Sequence, residues 1–428
     1  MTRPLFPRAS KSSTSPSRSV IIRIMPVFVI VGVICIATIV AGCQPKPASS
    51  SANEPSAAAT HIAELPIEWV DGKPVGIVSQ WANSKHAQEN VFCADCHGDN
   101  PLDIKTPTPT TCKGCHAQQV EEFALSTHAT AIEHAMTKDS AEYNGKKVEY
   151  KWQSYPEGGP DHWGCQNCHS VGKLNENDMA GDCNTCHDGH LYSLVQARDP
   201  KTCDGCHAGP GHPQYEAYAT SRHGIIWATL NAEFDTSGTT EEFWARQAVE
   251  PLAAPTCSTC HMVNGTHNTA YGMAHDLYGE RNEDYDVQIT YMVEQVCMTC
   301  HTEEYAREWL VFADEMAAYT LGRQREAQAM LGALRKDGLI RPTMEVTNSH
   351  PIAGQLSAVE SKFFQVNMTA NRARKGAYHT SSQWAGHQGW TDQSFALMEF
   401  RSEVERLRAD AERDKLIEDL RRQLENRP

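Results

Sequence analysis

Apolar and polar positions fall into three regimes along the chain. Val20 to Val40 is an almost unbroken apolar run, interrupted by Arg23 and Pro26. From Trp81 to His301 no helical or strand period persists, and Gly, Pro, Asn and Asp recur between short segments. After His301 a helical period returns. Trp309, Phe312, Met316 and Tyr319, then Ala327, Leu331 and Leu334, predict a helix over 302–336 with Gly338 as its stop. Residues 357–374 predict a second helix, and 392–426 a third, long and highly charged. In the third, Phe400, Val404, Leu407, Ala411, Leu420 and Leu424 form a narrow apolar stripe close to a heptad. Such a stripe serves either a solvated helix lying on its own domain or a helix packed against copies from neighbouring subunits. Nothing in residues 44–428 forms an apolar run able to span a bilayer.

The middle regime has too little aliphatic sequence to build a core of its own, and its cysteines say what replaces it. Fourteen of the 16 cysteines fall in seven Cys-x-x-Cys-His units. These are Cys93/Cys96/His97, Cys112/Cys115/His116, Cys165/Cys168/His169, Cys183/Cys186/His187, Cys203/Cys206/His207, Cys257/Cys260/His261 and Cys297/Cys300/His301. The unit is the attachment site of c-type haem. Two thiols add across the vinyl groups, and the adjacent histidine reaches the iron as proximal ligand. Zinc ribbons share the Cys-x-x-Cys pair but do not require His after every second Cys. Disulfides, the other use of cysteine in an exported chain, do not require it either. The expectation is therefore seven covalent haem c groups forming the core, wrapped by short helices and loops. The irregular motif spacing predicts a cluster rather than a solenoid. The expected fold class is mostly α: a haem-cored cluster followed by long C-terminal helices.

Charge and the N-terminus set the compartment. Residues 1–19 carry Arg3, Arg8, Lys11 and Arg18 and no acid, and Val40-Ala41-Gly42-Cys43 closes the apolar run. This is an export signal of lipoprotein type, with Cys43 as the lipidated first residue of the mature chain; a retained membrane anchor is the alternative. Cys35, inside the run, reads as a small buried hydrophobe. Gln44 to Thr60, rich in Ser, Ala and Pro, reads as a flexible tether. The expected division is a signal over 1–43, a tether over 44–63, a seven-haem domain over 64–301 and a helical region over 302–428. The soluble part is then periplasmic, or on the extracytoplasmic face, and held to the membrane by lipid. Removing the signal leaves 33 basic against 53 acidic residues. That balance argues against nucleic acid as a partner and favours a basic redox partner or a small cationic or neutral substrate.

Seven histidines are proximal, which leaves thirteen of the 20. Electron-transfer haems are closed by a second axial ligand, whereas a haem that does chemistry keeps one position open. Six distal ligands are then needed, and supply exceeds need.

At this point the residues resemble a known family, the hydroxylamine oxidoreductase-like multihaem cytochromes. The resemblance covers 76–390. It rests on Cys-His-Ala-Gly-Pro-Gly-His-Pro-Gln at 206–214, Tyr-x-x-Ser-Arg-His-Gly at 218–224 and Pro-Thr-Cys-Ser-Thr-Cys-His-Met at 255–262. The Ser-x-His-Ala pieces at 84–87 and 126–129, the helix after the last motif and the histidine-rich stretch at 376–389 also fit. Three departures stand out. The family typically carries eight haems, and this chain resembles it from the second motif onward. The family's catalytic haem then corresponds to Cys165/Cys168/His169. The family's active-site Asp-His pair falls at Gly211-His212, so the histidine is kept and the acid is lost. Hydroxylamine-oxidising members cross-link a tyrosine to the catalytic porphyrin; Trp384 stands at that place, with Tyr378 close by.

The resemblance implies distal ligands at His86, His128, His190, His223, His275 and His387, with His267 competing for the place of His275 and His379 for that of His387. It places His212 before the open haem of His169 without ligating it, as the catalytic proton carrier; a surface histidine after a Gly-Pro-Gly turn is the plainer reading. The implied activity is reduction of nitrite or hydroxylamine to ammonia. Hydroxylamine oxidation and pure electron transfer are the alternatives. The implied partners are a small nitrogen-compound substrate, a quinol oxidoreductase or small cytochrome, and further copies of the chain in a homotrimer.

Overall fold

A computed structural model of the chain describes residues 68–70, 73–131, 138–143, 146–151, 168, 170–172, 181–209, 212–275, 280–340 and 357–427. The export signal with Cys43, the tether, Cys165 and His169 lie outside the described residues. Two antiparallel hairpins are the only strands described: β1 (Glu68–Val70) with β2 (Lys73–Val75), and β3 (Lys138–Tyr143) with β4 (Lys146–Lys151). Everything else is helical or irregular, in the mostly α class expected.

The attachment motifs are themselves helical turns. Cys93–His97 and Cys257–His261 are short α-helices. In four others the histidine N–H donates to the carbonyl of the first cysteine, at 2.8 Å in Cys112–His116 and 2.9 Å in the motifs ending at His187, His207 and His301. Residues i, i+3 and i+4 lie on one helical face. One turn therefore brings both thiols and the imidazole to the same side. Ser84, Ser193 and Ser221 cap neighbouring short helices through their hydroxyls, as orphan N–H groups at helix starts require.

Two longer elements follow the fifth motif: α1 (Gln214–Thr220) and α2 (Arg222–Leu230). The C-terminal region is built from α3 (Glu303–Lys336), α4 (Ala358–Tyr378), a π-helical segment at Gln383–Thr391 and α5 (Asp392–Glu425). Thr302 caps α3 by accepting from the Tyr305 N–H, and Glu303 and Glu304 occupy its first turn, Arg335 and Lys336 its last. That arrangement complements the helix dipole. The helix stops where Gly338 takes a φ of 73°, the stop the sequence predicts.

The buried face of α3 differs from the expected one in its first half. Ala306, Ala313, Ala317 and Thr320 are buried, whereas Phe312 and Tyr319 are exposed. Small side chains let α3 approach α4 closely, and the large ones are displaced to the outside. Further along, Ala327, Leu331 and Leu334 join Val359, Phe363, Val366, Leu397, Phe400 and Val404 in one core. α4 lies between α3 and α5 and buries most of its residues. The stripe on α5 is divided. Phe400 and Val404 belong to the core, while Leu420 and Leu424 are exposed.

Close approach also governs the π-helical segment. A Cβ at Gly389 would lie 2.3 Å from Cα of Ala373 and 2.5 Å from its nitrogen. The obstruction is backbone and cannot swing aside. Gly389→Ala is expected to destabilise the helical region by about 1–3 kcal/mol, the usual cost of overpacking. A urea titration followed by far-ultraviolet circular dichroism measures it.

Candidate functional site

The histidines of the attachment motifs face other histidines. Ring centres are 6.1 Å apart for His97 and His190, 6.1 Å for His116 and His86, and 6.2 Å for His187 and His267. They are 5.9 Å apart for His207 and His128, 6.3 Å for His261 and His379, and 6.1 Å for His301 and His223. An imidazole nitrogen sits about 2.0–2.1 Å from a bound transition metal and roughly 1.1 Å from its own ring centre, so two trans ligands place ring centres about 6.2 Å apart. All six described motif histidines show this separation. Among the described residues, no group of three His, Cys, Asp or Glu side chains is placed to hold a bare metal ion. The arrangement is therefore a set of opposed pairs with thiols alongside, which fits iron held in the plane between them.

The environment suits ligation. A ligating imidazole must be neutral. Burial, reinforced by the opposite histidine, lowers His187 to about 4, and the same two causes lower His379 to about 4. Burial and the neighbouring His128 lower His207 to about 3. Several rings are oriented from behind. Nδ1 of His97 lies 2.8 Å from the Lys105 carbonyl, that of His267 3.1 Å from the Gly265 carbonyl, and that of His379 2.8 Å from the Lys375 carbonyl. A proton held there leaves Nε2 for the metal.

Two expected distal residues are elsewhere. His275 stands against Tyr285 and Tyr378, with its Nε2 3.3 Å from the Tyr378 hydroxyl. Tyr378 and Tyr285 both donate to Asp314, which also receives Arg281 at 3.0 Å. His387 is exposed in the π-helical segment. The positions opposite His187 and His261 are taken by His267 and His379 instead. The physical reason is the chain path. The Glu122 carboxylate accepts the His267 N–H at 2.8 Å, which fixes that turn, and His379 caps α4 where the helix ends. His86, His128, His190 and His223 each face a motif histidine.

The thiols show how the motifs neighbour one another. Cys112 neighbours Cys183, Cys203 neighbours Cys257, and Cys206 neighbours Cys168. Cys96 is near Cys112, Cys186 near Cys203, and Cys260 near Cys297 and Cys300. The motifs therefore follow one another in space as 93/96, 112/115, 183/186, 203/206, 257/260 and 297/300. Cys168 stands off this line, beside the motif of Cys203 and Cys206, and its Sγ lies 3.6 Å from the Gly205 carbonyl. No described cysteine is in a disulfide.

Cys115, like Cys93, Cys186 and Cys300, is exposed, and the other described motif cysteines are only half-buried. Cys115 is nonetheless held in its turn: its N–H donates to the Cys112 carbonyl at 3.1 Å, beside the His116 N–H that donates to the same oxygen. Exposure therefore leaves its place in the attachment motif intact. A thioether also joins the edge of a porphyrin and not its centre, so one thiol of a pair can lie at the rim of the cluster.

The loop that follows the motif of Cys203 and Cys206 carries His212. The Glu216 carboxylate accepts the Gly209 N–H at 2.6 Å, the His212 N–H donates to the Gly209 carbonyl at 3.2 Å, and the Tyr215 N–H donates to the His207 carbonyl at 2.8 Å. His212 is not one of the twelve described histidines that form these pairs. With the Gln214 amide turned so that its NH2 group faces the His212 carbonyl, that bond is 2.8 Å, and its oxygen accepts Nζ of Lys375 at 3.1 Å. Burial, with Arg374 nearby, pulls Lys375 down to about 7. Glu216, Gln214 and Lys375 carry no motif of their own, so nothing in the sequence singles them out.

Comparison with known proteins points to the same class of cofactor. Residues 176–349 match the family described as seven times multi-haem cytochrome CxxCH, and residues 111–189 match cytochrome c554 and c-prime. The chain is 25% identical over 371 residues to a probable nitrite reductase-hydroxylamine oxidoreductase fusion protein of Kuenenia stuttgartiensis. That match covers 74% of this chain and 41% of the relative. A reducing HAO-like protein complex from the same organism superposes with a TM-score of 0.62 at 22% identity, over 80% of this chain and 84% of that one. A hypothetical multiheme protein superposes with a TM-score of 0.61 at 19% identity, over 78% and 94%. These likenesses show the fold.

Proposed function

From a chain that carries multihaem c-type cytochrome domains, we propose a lipid-anchored periplasmic reductase that converts nitrite or hydroxylamine to ammonia. It binds seven haem c groups. Six are closed by His97/His190, His116/His86, His187/His267, His207/His128, His261/His379 and His301/His223. The seventh, on Cys165/Cys168/His169, is open. The observation that carries this reading is the use of twelve described histidines in six opposed pairs, with Cys168 of the seventh motif beside the turn of Cys203 and Cys206, which the loop of His212 follows.

Bound haem supplies an iron position for a nitrogen ligand and carries electrons between neighbouring groups. The chain supplies the rest. The attachment cysteines would hold the haems in the order in which the motifs neighbour one another, with the motif of Cys203 and Cys206 beside Cys168. His212 delivers protons to oxygen leaving as water and to nitrogen becoming ammonia. The reductive direction is supported by Trp384 at the family's cross-linking place and by the Tyr378 hydroxyl, which is already bonded to Asp314. The relative is named as a probable fusion of a nitrite reductase and a hydroxylamine oxidoreductase, which supports the substrate class. The solved relative is itself a complex of two proteins, which supports a redox partner, here a quinol oxidoreductase or small cytochrome. The exposed half of the α5 stripe supports a homotrimer.

Turnover with reduced viologen and nitrite or hydroxylamine, set beside hydroxylamine oxidation with an artificial acceptor, tests the direction. His212→Ala is expected to lower reductive kcat about 100-fold, the scale of a lost general acid, while the low-spin haem signals stay unchanged. Unaltered turnover removes His212 from the reaction. A wild-type paramagnetic spectrum with no high-spin iron supports the second reading, a pure electron carrier.

A further inference from the structure

Lys375 touches both kinds of histidine in this chain. Its carbonyl accepts from Nδ1 of His379, which faces His261. Its ammonium reaches the Gln214 amide, which in turn holds the His212 carbonyl. The same two groups, His212 and Lys375, are also close enough to His207 to act on its charge. We propose that Lys375 is a positioning residue for the open haem, fixing the backbone at His212 through Gln214. The inference rests on the proposed reductase reading.

The loop needs such an anchor. Residues 208–213 run Ala-Gly-Pro-Gly-His-Pro. Two prolines remove backbone donors, and two glycines leave the chain its widest conformational freedom. Gly209 has a φ of 90°. Glu216 holds this loop at Gly209, the Ala217 N–H holds it at Pro213, and Gln214 holds it at His212. Through Lys375, Gln214 connects it to α4. Thr220 Oγ1 and Ser381 Oγ, 2.9 Å apart, join the far end of α1 to the same region. A desolvated lysine ammonium carries a cost that an apolar side chain of equal length avoids. Its amine is explained by the bond it makes. A helix that also ends in a haem ligand is rigidly placed relative to the haems, so a loop tied to it inherits that register. Proton delivery depends on heavy-atom distance within a few tenths of an ångström of hydrogen-bond length, and placing His212 is what the tie accomplishes.

The test uses the full, haem-loaded chain and three variants: Lys375→Met, Gln214→Leu and the double variant. Each single variant is expected to lower kcat with nitrite about tenfold and leave KM within about twofold. The double variant is expected to lose no more than either single one, because both break the same chain of bonds. The high-spin signal is expected to change its response to added hydroxylamine, while the low-spin signals, that of His261 and His379 included, remain. Wild-type kcat in both singles, or losses that multiply in the double, overturns the proposal. If Lys375→Met fails to load its haems, Gln214→Leu decides alone, since that side chain lies on the loop side of the contact. A wild type without a high-spin iron overturns this proposal and the reductase reading together. A wild type with one, matched in every respect by the variants, overturns this proposal only.

Discussion

Replacing His267 with alanine is expected to convert the iron of the Cys183/Cys186 motif from low to high spin, whereas replacing His275 leaves every iron as it was. The rings of His267 and His187 are 6.2 Å apart and nearly parallel, at 21°. His275 has its Nε2 turned toward the Tyr378 hydroxyl at 3.3 Å, so its ligating atom is already engaged. The same contrast is expected between His379→Ala and His387→Ala. The His379 ring faces His261 at 6.3 Å, and its Nδ1 is held by the Lys375 carbonyl. His387 is exposed. Removing a strong axial nitrogen leaves a five-coordinate or water-bound iron, which is an all-or-none change in spin state. Paramagnetic resonance of the oxidised protein reads it as one additional high-spin iron in His267→Ala and His379→Ala. An added signal in His275→Ala or His387→Ala, with none in the other two, reverses the assignment.

This pair of choices shows where sequence stops informing. The proximal side is local: Cys, Cys and His at i, i+3 and i+4 form one helical turn, so the motif alone specifies the geometry. The distal side is not. His267 meets a histidine from the third motif before it, and His379 meets one across the whole of α3 and α4. Each competes with a histidine eight residues further on, in a region without periodicity. What separates them is the Glu122 bond to the His267 backbone and the end of α4 at His379, and both are tertiary. His86, His128 and His223 share the Ser-x-His context, and Ser84 and Ser221 each cap the helix that bears the histidine. A local signal existed there and was readable. The C-terminal helices and their stop were legible from period and glycine. The face of α3 was not, because a hydrophobicity pattern weights Phe312 and Tyr319 above the alanines that actually pack.

The largest effect on stability is expected at Glu360, in that same helical region. Glu360 is 2% exposed and Arg335 8%. Oε1 of Glu360 accepts from Nη2 of Arg335 at 2.8 Å, while Oε2 accepts from the N–H and hydroxyl of Ser357 at 3.1 and 2.7 Å. One carboxylate thus completes the capping box of α4 and neutralises a buried guanidinium on α3. Val359 and Phe363 flank it in the core, so water cannot take its place. Glu360→Ala leaves the Arg335 charge buried and unpaired, a change that costs about 3–5 kcal/mol. Glu360→Gln preserves an N3 residue able to complete the capping box and removes only the charge, so its loss should be smaller. The Arg335→Met, Glu360→Met double variant should be more stable than Glu360→Ala, because an apolar pair of similar volume avoids desolvating two ions. Urea midpoints from far-ultraviolet circular dichroism give the order. The haem absorption bands serve as a control, since covalent attachment keeps haem on the chain. A Glu360→Ala midpoint within about 1 kcal/mol of wild type would show that the pair is solvated in solution.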